Sequence, residues 1–281
     1  MVRRPRQPGG IPMRRLQTAA SALVAAATAA LVLTAGVAPA SADTEVVTEA
    51  YIDASGVVHY PFDPAALPGA SIVTQNGLTS RVGDCSFNAT GSDSASEGPT
   101  LTVGQEVTFD PATCTRELAL VTYPLSDVPA VVSATLEPED GWVQEEATAS
   151  SGEVSGRATT WFASLNARVQ DPVGIHVSST TTERTWSSTG TWNNVHRWGW
   201  YTPTGWSRLS NSQVDTSTVG DTLGTFRNVA FCNPFAATDT NHSRTRLQTS
   251  SASGGVTWGY TMNKSGDCSE LLSYHYSLIT P

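Results

Sequence analysis

With 281 residues, 39% of them hydrophobic and only 15% charged, the chain holds enough apolar material for one large or two small domains and lacks the composition of a disordered protein. A formal net charge of −9 argues against nucleic acid or anionic lipid as partner, because both are held by basic faces that release counterions.

The first 42 residues read as a secretory signal peptide. Arg3, Arg4, Arg6, Arg14 and Arg15 stand without an acid ahead of an Ala/Leu/Val run from Ala19 to Ala38, and Ala38, Ala40 and Ala42 offer small-residue processing sites. Cleavage after Ala42 is favoured, since acidic, polar sequence begins at Asp43, and Met13 is an alternative initiator. Arg14-Arg15 is compatible with twin-arginine export, but Gln17 and Thr18 follow where that route wants apolar residues, which favours the general secretory route. An uncleaved anchor is the competing reading of the apolar run, opposed by its alanine content and its processing site. Loss of residues 1–42 takes five bases and no acid, leaving 11 basic against 25 acidic residues. That surplus suits a secreted, soluble monomer with no membrane association after processing.

Segment 43–155 carries eighteen acids against Arg81 and Arg116, whereas 156–281 carries seven acids, nine bases and seven of the eight tryptophans. The asymmetry predicts an acidic β-rich unit over 43–155 followed by an aromatic-rich unit over 156–281. In the first, Leu101–Phe109 alternates with period two, and similar short strands fit Val46–Ile52, Val57–Phe62, Leu118–Tyr123 and Val131–Leu136. Gly91–Pro99 reads as a polar loop and Gly141–Ser155 as a linker. Glu137, Glu139, Asp140, Glu145 and Glu146 lack the ligand order of a calcium loop, and a solvated face is favoured over paired catalytic carboxylates.

The second unit opens with Ala158, Trp161, Phe162, Leu165 and Val169 at helical spacing, with Ser155 as N-cap and Asp171-Pro172 as stop. This predicts an amphipathic helix docked on the following sheet. Val173, Ile175 and Val177 then alternate, leaving His176 on the opposite face, and Trp186 and Trp192 flank a hairpin turn at Ser188-Thr189-Gly190. Further strands fit Val195–Tyr201, Leu223–Phe231, Thr245–Thr249, Val256–Met262 and Leu271–Ile279. The predicted fold class is mainly β: an antiparallel sandwich or barrel-like C-terminal unit with one amphipathic helix, preceded by a smaller β-rich unit.

Cys85, Cys114, Cys232 and Cys268 form no CxxC pair and read as two disulfides of an exported protein. Three pairings are possible, and the economical one is sequential, Cys85 with Cys114 and Cys232 with Cys268. A zinc site lacks the required spacing.

The segments DPVGIHV (Asp171 to Val177), FRNVAFC (Phe226 to Cys232) and SGDCSELLSYHY (Ser265 to Tyr276) resemble those of a group of secreted actinobacterial proteins without an established activity. The resemblance covers residues 155–281. It implies export and a Cys232–Cys268 bridge, and it carries no catalytic residue over. The recurrence of Gly83-Asp84-Cys85-Ser86 as Gly266-Asp267-Cys268-Ser269 is too short to mark a repeat.

No GxSxG, HExxH, GxxxxGK[ST], GxGxxG or SxxK motif occurs after Ala42, and His59, His176, His196, His242 and His275 are dispersed. No catalytic residue, metal ligand or cofactor site is assigned. A binding or interaction protein is favoured, for a polysaccharide, a cell-wall component or a secreted protein. A secreted hydrolase without a recognisable motif is the alternative. The candidate ligand residues are His196, Trp198 and Trp200 on one face of a strand, with Trp206 brought near by the Pro203-Thr204-Gly205 turn. Two rings at alternate positions either form a stacking platform or fill a sandwich core, and the core reading is favoured.

Overall fold

The computed structural model describes residues 49–81, 84–95, 98–152, 158–250 and 253–281, so the signal-peptide reading of 1–42 lies outside the described residues. In chain order the strands are β1 (Tyr51–Ile52), β2 (Val58–His59), β3 (Ser71–Asn76), β4 (Leu78–Arg81), β5 (Asp84–Asp93), β6 (Thr100–Asp110) and β7 (Thr115–Pro124), then one short helix, α1 (Ala130–Ala134). They continue as β8 (Trp142–Ser150), β9 (Thr160–Gln170), β10 (His176–Ser187), β11 (Trp192–Tyr201), β12 (Trp206–Asp215), β13 (Val219–Asn228), β14 (Thr238–Thr249), β15 (Val256–Gly266) and β16 (Ser273–Thr280). Among the described residues no helix is long and apolar enough to cross a membrane.

These strands build an antiparallel sandwich. The larger sheet runs β1-β2-β6-β16-β9-β10-β11-β8, with β7 on the other edge of β6 and β3 beyond it, and the smaller runs β12-β13-β14-β15-β5-β4. The two halves inferred from charge are therefore not separate units. β6 of the acidic half pairs with C-terminal β16, β5 pairs with β15, and Val46–Pro281 forms one compact body.

Period-two alternation fills the interior: Ala163, Leu165, Ala167 and Val169 from β9 are buried in one cluster with Phe226, Leu247, Tyr260 and Met262. The centre of the sandwich is polar, and it is zipped across the sheets by Ser178–Thr240 at 2.8 Å, Thr180–Thr245 at 2.6 Å and Thr182–Thr222 at 2.6 Å. Buried hydroxyls paired this way satisfy one another and fix the register of the two sheets. A second cluster, including Leu67, Val103, Val121 and Val132, lies where α1 and the segment after β2 cover the outside of the larger sheet.

Three local expectations are corrected. The stripe over 158–169 is not a helix but β9, paired on both edges, with Phe162 41% exposed. Trp161, Leu165 and Val169 are four residues apart, and an even spacing fits a strand face as well as a helix face. Val131–Leu136 is not a strand, because Pro129 at its start fixes a helical entry and Val132 alone is buried by α1. The supposed linker 141–155 contains β8, whose exposed side chains made it read as loop; it is an edge strand on β11.

Both disulfides pair sequentially. Cys85–Cys114, with Cα atoms 5.5 Å apart, staples β5 of one sheet to the β6–β7 turn of the other. Cys232–Cys268, at 6.1 Å, joins the β13–β14 and β15–β16 connections. Two such bridges point to an oxidising, extracellular type of environment.

Candidate functional site

The proposed stacking residues point inward. Trp198 and Trp206 are 3% and 2% exposed, and His196 is buried. Trp198 Nε1 donates to the Leu223 carbonyl at 2.7 Å, while the two ring nitrogens of His196 meet Thr222 Oγ1 at 2.8 Å and Asp215 at 2.9 Å. Trp206 packs on Phe231, and half-buried Trp200 leans on Phe226 with the Arg208 guanidinium 5.4 Å from its ring. Alternation on β11 therefore places His196, Trp198 and Trp200 on one face as expected, and that face is the core. Burial on that face excludes the stacking-platform alternative for His196, Trp198 and Trp206 and removes them as ligand residues.

A second group of chemistry-bearing side chains is also enclosed. Lys264, Glu106 and Arg116 lie between the sheets, ringed by Tyr60, Phe87, Phe109 and Tyr274. Lys264 Nζ stands 3.7 Å from Glu106 and donates to Tyr60 Oη at 2.8 Å, and Arg116 donates to Tyr260 Oη at 3.0 Å. Burial raises the Glu106 carboxyl and brings the Lys264 amine down to about 8, although each partner's charge acts in the opposite direction. None of the concavities described below is lined by these three, and their geometry is that of a structural core cluster.

A trough of about 600 Å³ is lined by strands of both sheets. Its aromatic wall is Trp258 with Tyr276, ring centres 5.9 Å apart and planes 29° from parallel. Trp258 faces Gly91 across the β15–β5 ladder, where an added Cβ would fall 2.7 Å from the indole, so glycine is what lets the ring lie down on the neighbouring strand. Amides and hydroxyls of Gln75, Asn76, Asn88, Thr90, Thr102 and Thr122 line much of the rest, with Leu120 and Leu278 among them. The one ionisable acid in the lining, Asp93, is tied to Thr280 Oγ1 at 2.5 Å. β4 pairs only with the Asp84–Ser86 end of β5, and among the described residues nothing pairs with that edge of β5 beyond it. Trp258 was legible only as a member of the strand Val256–Met262. What set it apart from the other tryptophans, a place where the sandwich opens, has no signal in local sequence.

No protein-family model, curated protein or solved structure matches the chain. Functional assignment accordingly rests on this geometry.

Proposed function

We propose that the chain is an exported binding protein that receives a neutral stretch of polysaccharide in the trough. The observation that carries this reading is Trp258, a half-buried ring held flat beside hydroxyl and amide groups in a wall almost free of charge. Sugar rings present apolar C–H faces and neutral hydroxyls, which an indole face and an amide-lined rim complement together. The unpaired edge of β5 favours one second reading, an extended peptide added as a strand.

The test is retention of the purified protein on a panel of insoluble neutral glycans and isolated cell wall. Wild type should be retained, and Trp258→Ala should lose retention while remaining folded by circular dichroism. No retention on any member of the panel, or undiminished retention of the folded variant, overturns the proposal. Retention abolished by a competing extended peptide rather than by soluble glycan selects the strand-addition reading instead.

A further inference from the structure

On the outer face of the larger sheet, away from the trough, lies a pocket of about 100 Å³ whose interior charge is a single arginine. Arg168 projects from β9, opposite Ser179 of β10 on one side and His275 of β16 on the other. It is only 6% exposed, yet no described residue accepts a hydrogen bond from its guanidinium or forms an ion pair with it, and its Nε is a buried donor without a partner. Burial alone draws the group down to about 10, still charged at neutral pH. A buried guanidinium costs free energy unless an anion meets it.

The surroundings suit an anion of one charge. His176, in edge contact with His275 at 5.8 Å, is held neutral by burial, as is His275, whose value falls to about 3. Of the two only His176 lines the pocket, where a neutral imidazole offers an N–H donor without adding charge, while His275 is tied to Ser273 Oγ at 3.0 Å. Asn166 donates to Thr181 Oγ1 at 2.6 Å and leaves its Oδ1 buried without a partner. Since a hydroxyl can serve either amide atom, an Asn166 amide turned over presents its NH₂ to the pocket. Leu136, Pro138 and Trp142 form an apolar wall, and the one acid in the lining, Glu137, is exposed and makes no ion pair with Arg168.

We infer that this pocket binds a small carboxylate, free or as the acidic group of a larger molecule, with Arg168 as its charged partner and the Leu136–Trp142 wall against its apolar substituent. One fixed planar guanidinium with neutral donors matches a planar monoanion, whereas a phosphate dianion calls for a second cation. The site does not depend on the trough.

Thermal melts of the purified protein test this at constant ionic strength, with chloride exchanged for acetate, benzoate or phosphate. Acetate and benzoate should raise Tm saturably by a few degrees over chloride, benzoate at lower concentration, and phosphate should do less. Arg168→Met should abolish the rise while keeping retention on glycan. Arg168→Lys, which preserves charge but not the fork, should need at least about tenfold more carboxylate, and this variant decides the matter if Arg168→Met does not fold. A wild-type Tm indifferent to carboxylate, an equal rise in a folded Arg168 variant, or a stronger response to phosphate overturns the inference.

Discussion

The indole of Trp142 lies over Gly199 across the β8–β11 ladder, and a Cβ at residue 199 would stand 2.2 Å from the ring. The backbone of Gly199 is that of an ordinary strand, so it is space that demands glycine here. Gly199→Ala should therefore push Trp142 off the sheet and cost about 1–3 kcal/mol by overpacking. Because Trp142 also walls the Arg168 pocket, the same change should alter the response to carboxylate. Urea denaturation together with tryptophan emission measures both effects. An unchanged midpoint and spectrum would show that Trp142 is not seated on Gly199.

Three histidines make stability fall on acidification. Burial holds His176, His242 and His275 neutral, with His242 and His275 near 3 and His176 well below its ordinary 6.5. Between the folded and unfolded values the unfolded chain binds more protons, so stability rises with pH across this window and is lost as pH falls below about 6.5. Each group contributes a slope of about 1.4 kcal/mol per pH unit where its unfolded form is protonated. Urea midpoints from pH 7 to 4.5, above the range of most carboxylates, should fall steadily. A flat profile over that interval contradicts the burial of these rings.

The alternation of β11, the Trp186/Trp192 hairpin and both disulfides were readable because each is encoded locally, by side-chain parity, turn residues or cysteine economy. The strand β9 was misread because Leu165 and Val169 satisfy two periods at once, and Ala163 and Ala167 are too small to advertise the face they share. β8 was missed because an edge strand with exposed Glu145 and Glu146 has the composition of a loop. Nothing local marks Arg168 as unpaired or Trp258 as lining an opening, since both properties arise from residues brought near by pairing over long sequence distances. Local sequence leaves the choice between core and platform at Trp198 and Trp200 open for the same reason: parity shows that rings share a face, and only sheet packing shows which face is covered.

The strand reading of β9 has its own test. A helix stripe buries Phe162 and Leu165 alike, whereas the strand exposes 41% of Phe162 and seals Leu165 completely. Leu165→Ala should cost about 2–5 kcal/mol through the cavity it leaves, and Phe162→Ala about 1 kcal/mol or less. Chemical denaturation of the two variants gives the comparison. Comparable losses at both positions restore the helix.

The enclosed pair of Glu106 and Lys264 sets a double-substitution test of what the buried charges contribute. Glu106 accepts the Tyr274 backbone N–H at 3.0 Å, and Lys264 lies 4.3 Å from the Phe109 ring centre, so each charge is held by groups other than its partner. Removing one charge still strands the other in the core. Glu106→Leu leaves Lys264 and Arg116 both positive with no carboxylate between them, and Lys264→Met leaves Glu106 with only Arg116 to offset its burial. Each single change should cost about 3–5 kcal/mol. With both residues apolar the stranded Lys264 charge disappears, and the lost attraction is no longer counted twice. The Glu106→Leu/Lys264→Met protein should then lose at least about 2 kcal/mol less than the two single losses added together. Equilibrium unfolding of the four proteins in one buffer supplies the cycle. Losses that add to within about 0.5 kcal/mol would mean that the two charges do not sense each other, and the cluster would owe its stability to the aromatic rings around it.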